Sequence, residues 1–286
     1  MRLSSNRSRL SSMQAMVLAL CILLAPADVV TPASDLKPET VASFDRYVRA
    51  AEARMDDDVR ENEFLIVDRL PDARREQAYS QLQRGQIYVE QLHAREDHSS
   101  IHIPSGQIHH WAGVIFIPGA TLAEAIAVLQ DYDDHHDIFK PQIRRSKLIE
   151  RSGDESKIYL QLFNNSIVTV VLNANFDVTD TQFGSTRHQI ATRSTRIAEV
   201  ADPDTPNEHE RPIGNDHGYM WRLNSCWRIE EKDGGVYVQN ESVALSRTIP
   251  AIFAWLVNPF TKNLPRNILV HLLTATRNAV LKARTP

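Results

Sequence analysis

Past residue 140 the chain reads as a train of hairpins that ends in one long amphipathic helix. Few folds accommodate that order. Strand-like stretches fall near 142–151, 156–163, 167–178, 187–199, 219–231 and 235–246. Turn signals such as Ser152-Gly153-Asp154 and Lys232-Asp233-Gly234-Gly235 separate them. A β-rich run at 108–117 precedes them and stops at Pro118-Gly119. Thr121 with Glu124 then forms a capping box that opens a helix with Leu122, Ala125, Ile126 and Leu129 on its apolar face. Pro265, at a first-turn position, opens the last helix, whose face carries Ile268, Leu269, Leu272, Ala275, Ala279 and Val280. An antiparallel sheet open on one side has to bury an apolar face, and a long amphipathic helix laid across it does so. The order therefore predicts an α+β fold with a strongly bent antiparallel sheet wrapped round the C-terminal helix. Such a grip leaves space between sheet and helix, where ligand cavities commonly form.

The first residues read as an address. Arg2, Arg7 and Arg9 precede the apolar run from Met16 to Ala25, and Ala25-Pro26-Ala27 supplies small residues for a cut after Ala27. This is the secretory signal pattern, so residues 1–27 are assigned as a signal peptide and the remainder as periplasmic or secreted. The run is short of the roughly 20 apolar residues that span a bilayer. An uncut membrane anchor is the alternative. Residues 28–105 are read as an N-terminal, mostly helical extension with one or two short strands, and 106–286 as the sheet domain. Within the extension Phe44, Tyr47, Val48, Ala51 and Met55 recur at helical spacing, Pro71 to Arg84 reads as a second helix, and 86–93 alternate like a strand. The run 64–67 has no decidable type.

Thirty-two basic residues against 36 acidic ones give a net charge of −4 with no basic stripe, which argues against a nucleic-acid partner. Cys21 and Cys226 are the only cysteines, and removal of the leader leaves Cys226 without an internal disulfide partner. It falls in a strand, where a buried, inert thiol is expected.

The passage from Thr121-Leu122-Ala123-Glu124 through Asp131-Tyr132-Asp133-Asp134-His135-His136 to Phe139-Lys140-Pro141 resembles the helix and following turn of the START-like (SRPBCC) superfamily. The hairpin Trp221 to Arg228 with Gly234-Gly235-Val236-Tyr237-Val238 is similar to that family too, as is the terminal Asn263-Leu264-Pro265-Arg266 helix with Thr276-Arg277. The resemblance covers about residues 106–284 and is greatest to an exported bacterial branch. It implies a helix-grip fold of the kind found in polyketide cyclases and lipid-transfer proteins.

The candidate ligand-binding residues are Trp111, Tyr159, Arg196, Trp221, Arg222, Trp227, Phe253 and Trp255. Large rings line apolar sites, so Trp221 and Trp227, two of the alternating residues of 219–229, are expected on a cavity wall with Trp111 and Tyr159. A bare core face is the alternative. Strand arginines such as Arg196 and Arg222 orient an acidic headgroup if they point inward, and otherwise face solvent. Phe253 and Trp255 belong to the most apolar stretch after the leader, residues 249–260, read either as packing beneath the last helix or as a lip that touches a membrane surface transiently. His109 and His110 sit on opposite strand faces, so one of them at most faces a cavity; His110 is the candidate general acid or base of an enzymatic reading. Asp133-Asp134-His135-His136-Asp137 holds metal-ligand residue types, but helical neighbours diverge, and no metal is assigned. No G-x-S-x-G, P-loop or dinucleotide fingerprint is present, and no cofactor is assigned.

The leading expectation is an exported protein that holds a hydrophobic or amphipathic, lipid-like molecule between sheet and C-terminal helix. A cyclase- or hydrolase-type enzyme on the same fold is the second reading, and an interaction protein without a ligand the third. The sequence leaves the oligomeric state open.

Overall fold

The computed structural model describes residues 34–96, 99–165, 169–248 and 263–284. The leader at 1–27 and the apolar stretch at 249–260, with Phe253 and Trp255, lie outside them.

Two helices come first, α1 (Pro38–Arg60) and α2 (Asp72–Gln83), joined by a short 3-10 turn at Ile66–Arg69. Eight strands carry the main sheet: β1 (Tyr88–Gln91), β2 (Gly106–Pro118), β3 (Ile143–Ser152), β4 (Glu155–Asn164), β5 (Val170–Phe183), β6 (Arg187–Ala201), β7 (Arg222–Lys232) and β8 (Gly235–Arg247). Between β2 and β3 lie α3 (Leu122–Gln130) and the single turn α4 (His135–Ile138); α5 (Leu264–Ala283) closes the chain. The spatial order is β1-β2-β8-β7-β6-β5-β4-β3, antiparallel throughout, with the two-residue strand His209–Glu210 added beside β6. Register shifts at Asn175/Phe176 and at two points of the β3–β4 ladder mark the bulges that bend such a sheet. This is the α+β helix-grip arrangement expected from the element order.

The capping box forms as the sequence predicts: the Glu124 N–H donates to Thr121 Oγ1, and the Thr121 N–H donates to the Glu124 carboxylate. On the inner face α5 buries Leu269, Leu273, Thr276 and Val280 against β2, β8 and α3. A side chain at Gly113 would bring Cβ to 2.8 Å from Leu273 Cδ1 and 3.2 Å from Leu269 Cδ2. The bare backbone there is what lets the helix lie close on β2.

The extension covers the outer face. Phe44, Tyr47 and Val48 of α1 pack on Trp221, Val243 and Leu245, and Phe64 to Val67 with Ala78 and Leu82 pack on Val114, Phe116 and Tyr237. Strand β2 is thus covered on both faces, which is why 111–117 reads as a continuous apolar run rather than an alternation. The extension also contributes β1 as the edge strand beside β2, and the described residues form one compact unit. Among the described residues no helix is long and apolar enough to cross a membrane.

Candidate functional site

The inner face has a covered end and an open end. Near Pro118 and Gly235 it is sealed by α3 and α5 over Ile115, Ile117, Val236 and Val238. Toward the other end β8 passes from burial on both faces to burial on one. Glu241, Val243 and Leu245 point outward and are buried beneath α1, whereas the inward Ser242, Ala244 and Ser246 are only half-buried. The same holds for the inward residues of β7, where Leu223, Ser225 and Trp227 remain half-buried. Leu160 and Leu162 on β4, Met220 before β7 and Leu272 on α5 are further half-buried apolar side chains against the inner core. Together they leave an apolar surface that the described helices do not close.

Polar groups cross this surface in a single row. The pairing Trp111↔Ser242, Ser242↔Ser225, Ser225↔Thr192 and Thr192↔Val178 sets one side chain from each of five neighbouring strands side by side. Thr192 Oγ1 and Ser225 Oγ lie 2.9 Å apart. The next row inward pairs Trp227 with Asn240 and Ile190. Three hydroxyls thus lie in line next to two indoles, an arrangement able to hold an apolar body while hydrogen-bonding a polar group.

Of the candidate residues, Trp111 and Trp227 share this inner face. Tyr159 is on the other side: Ile158, Leu160 and Leu162 take the inward positions of β4. Its hydroxyl donates to Asn173 Oδ1 at 2.8 Å, the Asn173 amide donates to Glu210, and Arg196 closes the chain on Glu210. Tyr159 and Arg196 therefore come together, but on the outer face and tied to protein partners. Arg222 also lies on the outer side of β7, with Nη1 donating to the Trp221 carbonyl at 2.8 Å. Trp221 departs from the expected alternation. β7 begins only at Arg222, and the turn through Gly218 (φ 69°) swings the indole outward into the α1 cluster. There its Nε1–H donates to Asp216 at 3.0 Å.

His110 is buried on the outer face as well. Its Nε2 is 2.7 Å from Glu241 Oε1, and its Nδ1 is 2.9 Å from the Tyr47 hydroxyl, which also accepts the Ala94 N–H. Arg54 donates to the same Glu241 oxygen and to Asp58. Burial alone pushes the Glu241 carboxyl up; the His110 hydrogen bond and the Arg54 charge outweigh it and hold the group down at about 2. The ring thus points away from the inner face that the enzymatic reading requires. Arg228 is buried in the same layer and donates to the carbonyls of Met55 and Phe64 and to Gln189. Cys226 is buried beside it, and burial pushes its thiol up to about 12.

The acidic and histidine run beyond α3 does not converge. His135 turns inward between Tyr132 and Phe139, with Nε2 at 3.1 Å from the Leu129 carbonyl, whereas His136 binds near Ser146 and the Asp133 carbonyl. No metal-binding group of three or more His, Cys, Asp or Glu occurs among the described residues.

No family model and no curated protein matches the chain. Among solved structures it is similar to a STAR-related lipid transfer protein from Xanthomonas axonopodis, at 16% identity over 65% of this chain and 98% of that one, with a TM-score of 0.41. It is likewise similar to the Zhui aromatase/cyclase from a Streptomyces species, at 14% identity over 63% and 98% of the chains and a TM-score of 0.42. A START superfamily protein from Mycobacterium smegmatis is similar at 14% identity over 62% and 97%, with a TM-score of 0.38. Identity at this level transfers no residue's role.

Leu160 and Leu162 were not among the candidate residues. Their period-2 spacing in β4 was the available signal.

Proposed function

We propose that the chain is a binding protein for a hydrophobic or amphipathic small molecule of lipid-like character, held on the inner face between sheet and C-terminal helix. The observation that carries this reading is the one-sided burial of β8 beyond Asn240. A sheet face that carries Trp111, Trp227 and Leu223 is left half-covered by the described residues, while on the opposite face of β8 Val243 and Leu245 are buried beneath α1. Covering such side chains with a ligand supplies about 25 cal/mol per Å2 of apolar surface removed from water. The hydroxyl row Ser242, Ser225 and Thr192 orients the polar end.

The ligand is bound and released unchanged. We further propose export by the signal segment 1–27, with a periplasmic or secreted mature chain, and entry of the ligand at a membrane surface touched by residues 249–260. N-terminal sequencing of the chain recovered from its native cell tests the first: a start at Asp28 supports it, and a start at Met1 opposes it. Titration with fluorescent fatty acids tests the binding reading. Saturable quenching of tryptophan emission is expected, weakened at least tenfold in Trp227→Ala. Unaltered emission up to the solubility limit of the probe opposes it.

A further inference from the structure

The outer face holds a cavity of about 590 Å3 between α1 and strands β3–β8. Val48, Ala51 and Met55 form its helix wall, and Ala191, Cys226 and Val243 face them from the sheet. Two acceptors on the sheet side are buried with no hydrogen-bond partner among the described residues, Glu241 Oε2 and Asn224 Oδ1. Cross-strand pairing of Cys226 with Glu241 and of Asn224 with Val243 sets them on neighbouring strands of one face. The Glu241 side chain is 1% exposed, and its other oxygen is already engaged by His110 and Arg54. The carboxylate is therefore anchored through Oε1 and free at Oε2. A buried acceptor left unmade is costly, the more so when charged, so this site calls for a donor.

The charges around the cavity favour a cation. Lys157 and Arg193 are the two basic residues of the lining, and each is tied to an acid, Glu150 and Glu52 respectively. Asp56, Glu155 and Asp177 add further acidic groups to it. The nearest buried cations are spoken for: Arg54 by Glu241 and Asp58, Arg228 by two carbonyls and Gln189. Among the described residues no three His, Cys, Asp or Glu side chains converge to hold a metal ion. A hydrogen-bonding organic cation meets both acceptors and the apolar walls at once, with charge-assisted bonds at the carboxylate.

We infer that this outer cavity is a second ligand site, distinct from the inner face, that takes a primary ammonium compound with a short apolar body. The ammonium donates to Glu241 Oε2 and Asn224 Oδ1, and the apolar body lies against Val48, Ala51 and Met55.

The test is calorimetric titration of the full chain at neutral pH with hexylamine, hexanol and hexanoate, three probes of equal length and different head charge. Hexylamine is expected to bind, hexanol at least tenfold more weakly, and hexanoate not at all. Ala191→Phe fills the cavity from a half-buried position and is expected to cost at least tenfold in amine affinity at unchanged thermal midpoint. Glu241→Gln, where it folds, is expected to lose the preference for amine over alcohol. Hexanoate binding as tightly as the amine, absence of amine binding at millimolar concentration, or undiminished amine binding by Ala191→Phe would each overturn the assignment.

Discussion

Glu241 Oε1 accepts a hydrogen bond from His110 Nε2 at 2.7 Å and meets the Arg54 guanidinium at the same oxygen. One carboxylate thereby ties β2, β8 and α1 together. Removing one partner of a buried charged pair leaves the other uncompensated, which typically costs 3–5 kcal/mol. Glu241→Gln is accordingly expected to lower stability by about 3 kcal/mol in urea unfolding at pH 7. The folded carboxyl is held at about 2 against an ordinary value of 4.5. Its contribution is fully present above about pH 4.5 and is lost as pH falls toward about 2. The difference between wild type and variant should shrink across that window. A difference that stays constant from pH 6 to pH 2 would contradict the pairing.

His135 titrates in a separate window. Burial between Tyr132 and Phe139 pushes its ring down to about 4 from 6.5, against the opposing pull of the Leu129 carbonyl. The folded state resists the proton that the unfolded state accepts, so this contribution is intact above about 6.5 and is lost as pH falls toward 4. At 1.36 kcal/mol per pH unit the loss amounts to about 3 kcal/mol. His135→Phe keeps an aromatic ring in place and should flatten the stability profile between pH 6.5 and 4 while leaving the Glu241 window unaltered. An unchanged slope in His135→Phe would show that the ring is not the titrating group.

Gly113 sets the spacing of the terminal helix. A Cβ there lands 2.8 Å from Leu273 Cδ1 and 3.1 Å from the Tyr88 carbonyl. Gly113→Val is expected to destabilise by about 1–3 kcal/mol, as overpacking does. Leu273→Ala in the same chain should recover part of that loss, giving a favourable interaction in a double-mutant cycle. Strict additivity would mean that helix and strand do not touch at this point.

The parts of this fold that depend on local chemistry were legible in the sequence. The Thr121–Glu124 capping box, the hairpin turns and the stripe of the last helix follow from side-chain chemistry within one turn or one strand. The stripe Phe44, Tyr47, Val48 and Ala51 was equally clear, but nothing in α1 itself says which sheet face it covers. That choice decides the site. It buries His110 and Trp221 on the outer side and leaves Trp111 and Trp227 on the open side. Strand alternation misplaced Trp221 because the strand starts at Arg222, three residues later than the expected 219 and after the Gly218 turn. Tyr159 was grouped with the inner aromatics, although the register of β4 gives the inward positions to Ile158, Leu160 and Leu162. Arg228 carries a charge that strand patterning assigns to solvent. It is buried because the carbonyls of Met55 and Phe64, more than 160 residues earlier, are there to receive it.

Trp221 and Trp227 should behave oppositely. Trp221→Ala removes an indole 2% exposed that is hydrogen-bonded to Asp216, and about 3–5 kcal/mol of stability should go with it. Trp227 is half-buried on the open face, and Trp227→Ala should cost markedly less in thermal unfolding. Equal losses in the two variants would place Trp227 in the closed core.

The most direct test of the central claim is mass spectrometry of an organic-solvent extract from the chain purified, without denaturant, from its native cell. A lipid-like molecule near one per chain is expected in wild type, retained in Tyr159→Phe on the outer face and depleted in Trp111→Ala/Trp227→Ala on the inner one. A folded wild-type chain that carries no such molecule, and takes none up when mixed with a total lipid extract of that cell, would contradict ligand binding on the inner face.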